Sequence, residues 1–281
     1  MQLRSYLKDA TTIVKMYERR KRRLVRLPPV PDPRPGARIG PPDYVGIGVQ
    51  KAGTTWWSHL LSQHPQNESL PKELRYFQVG WNADFTDKEI DRYHRYFPRS
   101  SGTVAGEWTP NYITQPWAIE RLKRAAPNAT LLVLLRDPLA RLRSGLRHYA
   151  FHIPGPLEME YVYKNIDAGL YSRQLDYVQQ HFSREQIFLL QFEKCLSNPE
   201  GEIARTYERL GLDPDFRPNG ILDRVNEGRG TPVPLSGDFE LAMRELYLPD
   251  AARLASEWPE IDLSLWPNVA SKQPRSESRL R

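Results

Sequence analysis

The sequence predicts an α/β fold, a parallel β-sheet flanked by helices. Three observations carry this. The apolar runs at 130–135 and 187–192 lack polar alternation, which marks strands buried on both faces. Stretches with apolar residues at helical spacing alternate with these runs, the order expected of a parallel sheet with crossover helices. A glycine-containing loop, Gly48 to Thr55, lies between the first apolar run and a helix. Ligands of such sheets bind beyond the carboxyl ends of the strands.

Residues 1–26 read as an amphipathic helix, with Leu3, Leu7, Ala10, Val14 and Tyr17 on one face. It ends in a basic cluster, Arg19, Arg20, Lys21, Arg22, Arg23 and Arg26. Such a helix is either solvated beside the domain or laid against a membrane surface or partner. Residues 28–42 hold seven prolines and two glycines and are expected to form an extended linker, so 1–42 precede the globular domain. The domain is assigned to 43–270. It opens with a strand at 44–49 and a helix at 54–64, stopped before Pro65. A short strand is expected at 104–108, a helix at 118–126 ending before Pro127, and a buried strand at 130–135. Helices at 139–149 and 170–181, a strand at 187–192 and a helix at 199–210 follow. The segment 271–281 is polar and basic and is expected to be a disordered tail.

The 281 residues, 40% hydrophobic with seven Trp, suit one large domain. A net charge of +6 points to anionic partners, whether nucleotide, nucleic acid or membrane. Cys195 is the only cysteine, which leaves no internal disulfide and makes a reducing, cytoplasmic setting the expectation. No apolar run reaches the roughly 18 residues of a membrane-spanning helix, and the N-terminus has no signal-peptide core. The six His are scattered, so no metal site is expected.

The loop Gly48-Val49-Gln50-Lys51-Ala52-Gly53-Thr54-Thr55 has the glycine spacing of a P-loop and its strand–helix context. Backbone N–H groups and the helix N-terminus would cradle a phosphate. The lysine, however, stands inside the loop at Lys51, and Thr54 occupies the position where a nucleotide triphosphatase has Lys. A second element follows the strand at 130–135: Arg136, then Ser144 eight residues on. Arg136 offers a forked cation for phosphate oxygens and Ser144 a neutral donor. Taken alone, Arg136-Asp137 also fits a surface ion pair and Ser144 a helix-face serine.

Together these segments resemble the donor-binding signatures of sulfotransferases that use 3′-phosphoadenosine-5′-phosphosulfate (PAPS). The resemblance spans about 43–268 and leans toward the heparan-sulfate and glycan branch and its soluble bacterial relatives. The motifs on that side are Leu61-Ser62-Gln63-His64-Pro65, Lys72-Glu73-Leu74-Arg75-Tyr76-Phe77 and Glu107-Trp108-Thr109-Pro110-Asn111-Tyr112. The K-T-H segment of the cytosolic branch is not apparent. The resemblance implies a PAPS sulfotransferase fold and no metal. It assigns Lys51, Ala52, Gly53, Thr54 and Thr55 to the 5′-phosphosulfate, and Arg136 and Ser144 to the 3′-phosphate. Arg229, in the segment Asn226-Glu227-Gly228-Arg229-Gly230, joins the 3′-phosphate by a looser likeness. Glu73 maps to the base that deprotonates the acceptor, a hydroxyl or amine of a glycan, glycolipid or secondary metabolite. Lys51 would meet charge on the leaving oxygen. Glu107 is the alternative base. His148 reads as a helix-face residue, and Trp56, Trp57, Tyr76, Phe77 and Trp81 as core or cleft lining. Arg75 stands where the branch often has His, and Trp108 where it has Lys. Two other function classes remain: a P-loop kinase or NTPase, with Asp137 imitating the Mg²⁺ ligand, and a basic nucleic-acid- or membrane-binding adaptor.

Overall fold

The computed structural model describes residues 27–68, 72–78, 84–153, 155–223 and 230–269. The basic helix expected over 1–26, the tail 271–281, Trp81 and Arg229 lie outside the described residues.

Four strands form one parallel sheet: β1 (Tyr44–Gly48), β2 (Gly106–Trp108), β3 (Thr130–Leu135) and β4 (Ile187–Gln191), in the order β2-β1-β3-β4. All of β1 and β2 is buried, as are Leu131 to Leu135 of β3. This is why these segments carry apolar runs rather than alternation. β2 pairs on one side of β1 and β3 on the other, so the chain changes direction at β1. That switch opens a crevice beyond the carboxyl ends of β1 and β3.

Nine helices are described: α1 (Thr54–Ser62), α2 (Asp87–His94), α3 (Pro116–Ala125), α4 (Pro138–His152), α5 (Met159–Asp167), α6 (Tyr171–Gln179), α7 (Phe192–Ser197), α8 (Pro199–Arg209) and α9 (Gly237–Glu257). α1, α3, α4, α6 and α8 match the expected helices to within a turn. β4 is shorter than expected, because Phe192 already opens α7. α2, α5, α7 and α9 were not expected from the sequence. α2 buries only Tyr93. α9 carries Pro249 in its interior and buries only Tyr247, Ala251 and Leu254, so no continuous apolar stripe advertises it.

Trp56, Trp57, Tyr76 and Phe77 are all buried and belong to the core. Trp108 is buried too. Its indole lies across Gly46, where a Cβ would stand 2.1 Å from a ring carbon, and its Nε1 donates to the Gly48 carbonyl at 3.2 Å. It therefore fastens β2 to β1 rather than facing a cleft. The proline-rich segment after residue 27 is extended, as expected, but it is strapped to the domain. Arg38 and Arg99 exchange both backbone hydrogen bonds, at 2.8 and 2.9 Å, and the buried Arg99 guanidinium holds Asp43 at 2.8 Å and the Pro41 carbonyl at 2.8 Å.

Candidate active site

The loop after β1 turns sharply into α1. Lys51 and Gly53 both adopt positive φ, at 71° and 88°. Gly53 is required twice over: its conformation is left-handed, and a Cβ there would meet the Phe192 ring at 2.5 Å. Gly53 is also the N-cap of α1, so no side chain caps the helix, and no acidic residue lies in the first turn. The N-terminal amides of α1 are thus left for an anion.

Cations converge on this loop. Arg136 leaves the end of β3, stacks 4.9 Å over Phe192 and donates to the Lys51 carbonyl at 3.2 Å. Its own carbonyl accepts from the Tyr171 hydroxyl at 2.7 Å. Burial, Arg147 and Arg136 together hold the Lys51 ammonium below the usual lysine range, against an opposing pull from Glu73. Lys72 donates to the hydroxyls of Thr54 at 2.7 Å and Thr55 at 2.9 Å and lies 3.9 Å from the Glu73 carboxylate. Burial first, then Lys51 and Arg75, bring its pKa down to about 8, although Glu73 acts to raise it. His148, on α4, is pushed down to about 4 by burial, Lys51 and His152 and is neutral at pH 7.

Beside Arg136 lies a cavity of about 380 Å³ lined by Arg136, Ser144, Arg143, Arg147, Val233 and Leu235 among others. Arg136 and Ser144 therefore share one cavity wall, and Arg136 links that cavity to the loop. Arg143 is held by Glu240 at 2.7 Å and Asn268 at 3.0 Å. Arg147 and Lys72 escaped the sequence reading. Arg147 could have been found from its helical spacing of three residues after Ser144. Lys72 was visible only as the neighbour of Glu73.

Asp137 does not face the cavity as a metal ligand would. It caps α4, with Oδ1 accepting from Leu139 N and Ala140 N, and its Oδ2 accepts from the backbone and side-chain nitrogens of Asn268. Both oxygens are engaged and the residue is 2% exposed. Among the described residues, no group of three or more His, Cys, Asp or Glu is placed to hold a metal ion.

Glu73 is partly exposed and pairs with Arg75 Nε at 2.9 Å. Glu107 is in a different position. It is buried beneath the Glu73 segment, where Oε1 accepts from the hydroxyls of Tyr93 and Tyr112 at 3.2 and 2.9 Å and Oε2 from Thr109 at 2.6 Å. Burial raises its pKa to about 7 despite those three hydroxyls. The same hydroxyls hold the backbone above: Arg75 N donates to Thr109 at 3.0 Å and Phe77 N to Tyr112 at 3.4 Å. Glu107 is thus a buried anchor for the 73–77 segment and not an alternative base reaching an acceptor.

Residues 91–217 match the sequence profile of the Sulfotransferase family. Human heparan sulfate glucosamine 3-O-sulfotransferase 3B1 is 28% identical over 185 residues, covering 61% of this chain and 46% of that protein. The membrane-associated sulfotransferase kil1 of Dictyostelium discoideum is 32% identical over 142 residues, or 50% of this chain and 29% of that protein. The chain thus spans less than half the length of either relative. A crystal structure of a sulfotransferase from Alicyclobacillus acidocaldarius superposes with a TM-score of 0.67 at 23% identity, covering 82% of this chain and 100% of that one. The fold is the α/β sulfotransferase fold, and residues 91–217 are similar in sequence to that family.

Proposed function

We propose that this protein transfers the sulfuryl group of PAPS to a hydroxyl or amine of an acceptor by in-line displacement. The observation that carries the reading is the placement of Arg136. Its guanidinium bonds the Lys51 carbonyl and lines the cavity with Ser144, so one residue joins the phosphosulfate loop to the 3′-phosphate pocket. Two cationic sites joined by one residue favour a nucleotide with phosphates at both its 3′ and 5′ positions over one with a 5′-polyphosphate alone.

In this reading the uncapped amides of α1 and the hydroxyls of Thr54 and Thr55 bind the phosphosulfate. Arg136 and Ser144 hold the 3′-phosphate, with Arg147 beside them. Glu73 accepts the acceptor's proton while the acceptor oxygen or nitrogen bonds sulfur. The bond from sulfur to the bridging oxygen breaks, and Lys51 meets the charge gathering on that oxygen. Adenosine 3′,5′-bisphosphate leaves. The lysine displaced to Lys51, with Thr54 in its usual place, and the capped Asp137 weigh against a kinase or NTPase. A carbohydrate acceptor is the favoured class, because the relatives above include a heparan sulfate glucosamine sulfotransferase.

The test is donor-product affinity. Titration calorimetry should find adenosine 3′,5′-bisphosphate bound far more tightly than ADP. Equal affinities would refute the 3′-phosphate assignment.

A further inference from the structure

We propose that Lys72 takes part in the transfer itself: its ammonium turns the hydroxyls of Thr54 and Thr55 toward the donor's phosphosulfate and couples the donor loop to Glu73. This rests on the donor reading given above.

The argument is one of hydrogen-bond inventory. A threonine hydroxyl has one proton to donate and two lone pairs to accept with, and an ammonium can only donate. Lys72 Nζ lies 2.7 Å from Thr54 Oγ1 and 2.9 Å from Thr55 Oγ1, so both hydroxyls act as acceptors toward it. Their own O–H protons are then directed elsewhere. Both residues stand in the first turn of α1, where the backbone amides have no side-chain cap. An anion at that helix end would receive two O–H donors in addition to the amides. A neutral or absent side chain at position 72 would free the two hydroxyls to rotate.

The remaining face of the ammonium is turned to Glu73 at 3.9 Å, an electrostatic contact rather than a hydrogen bond. Lys72 therefore touches the donor loop on one side and the proposed base on the other. The charged groups facing it are Lys51 on the loop and Glu73 and Arg75 on its own segment. Before donor binds, burial and the two like charges oppose the ammonium, and only Glu73 favours it. An anionic donor reverses that balance, because an adjacent negative charge stabilises the protonated form. The sign follows. Lys72 is charged below a pH of about 8 in the free protein and loses its charge as pH rises through that value. The loss should move to higher pH once donor is bound.

A purely structural role, in which Lys72 only tacks the 72–78 segment to α1, predicts something else, and the experiment separates the two. Wild type, Lys72→Met and Lys72→Arg are compared for adenosine 3′,5′-bisphosphate binding by calorimetry and for release of that product from PAPS, with a sulfuryl acceptor or water, across about pH 6 to 10. Lys72→Met should keep affinity within about tenfold, since the 3′-phosphate grip is untouched, while turnover at saturating donor falls about 10²-fold. The wild-type alkaline loss should lie near pH 8 in kcat/KM and higher in kcat. Lys72→Arg should recover part of the rate and shift that loss upward, because a guanidinium does not deprotonate in this range. Wild-type turnover in Lys72→Met, or a turnover loss no larger than its affinity loss, would overturn the assignment. A wild-type protein that binds no adenosine 3′,5′-bisphosphate would instead overturn the donor reading, and this assignment with it.

Discussion

Glu107→Gln isolates a single buried carboxyl in the pH dependence of stability. Glu107 is buried, and burial raises its pKa from 4.5 to about 7. The native state therefore holds this proton more tightly than the unfolded chain. The stabilisation is fully present below pH 4.5 and is lost as pH rises through 7. At roughly 1.4 kcal/mol per pKa unit the whole swing is on the order of 3 kcal/mol, most of it between pH 5 and 8. The glutamine keeps the shape. Its carbonyl oxygen can accept from Tyr93 and Tyr112 and its amide can donate to Thr109, but it does not titrate. The assay is urea unfolding of both proteins at the two pH values. Every other titrating group is common to them, so the difference of differences reports Glu107. Wild type should lose roughly 2 to 3 kcal/mol more than the variant on going from pH 5 to 8. Equal losses in the two proteins would show that Glu107 does not titrate as its burial requires.

Two further outcomes follow from the site. Lys51→Ala should lower sulfuryl transfer by about 10²-fold or more, the usual cost of removing one charge-stabilising donor, and EDTA should leave wild-type turnover unchanged; steady-state rates check both. Glu73→Gln should lower turnover by about 10²- to 10⁴-fold while calorimetry shows donor-product affinity unchanged; near-normal turnover would place the base elsewhere.

The sheet and the turn of the loop after β1 were legible because their determinants are local. A strand buried on both faces must be a continuous apolar run, and 130–135 was read to the residue. A loop that needs left-handed backbone beside an aromatic ring must have glycine at that point, and Gly53 is there. What the sequence hid is set by contacts between distant segments. Glu107 lies in a motif that resembles an acceptor-side element. Only the fold shows Tyr93, 14 residues upstream, donating to it and closing it off from solvent. Asp137 follows Arg136 directly and reads as its ion partner or a metal ligand. Asn268, 131 residues away, occupies one of its oxygens. α9 was illegible for a different reason: Pro249 and a mixed apolar pattern remove both of the signals by which a helix is recognised.

The electrostatics of the site argue for a polyanionic ligand independently of any motif. Lys51, Lys72, Arg136 and Arg147 gather around one loop, and Glu73 is the acidic group that acts on both lysines. Like charges at this range repel, and burial removes the water that would screen them. Both lysines are accordingly held below their ordinary pKa. A fold that needed only its own stability would gain from replacing one of these cations by an apolar residue of similar volume. Their retention beside an uncapped helix N-terminus is accounted for by a ligand that brings the missing negative charge. The site's two halves set how that charge must be divided. In the proposed reading one share lies against α1 and Lys51 and the other against Arg136 and Ser144, with Arg136 in contact with both regions. Glu73 sits at the Lys51 end and not at the cavity end. In the proposed reading the bond that breaks is therefore at the phosphosulfate, and the 3′-phosphate serves as a handle whose binding energy positions the reacting group.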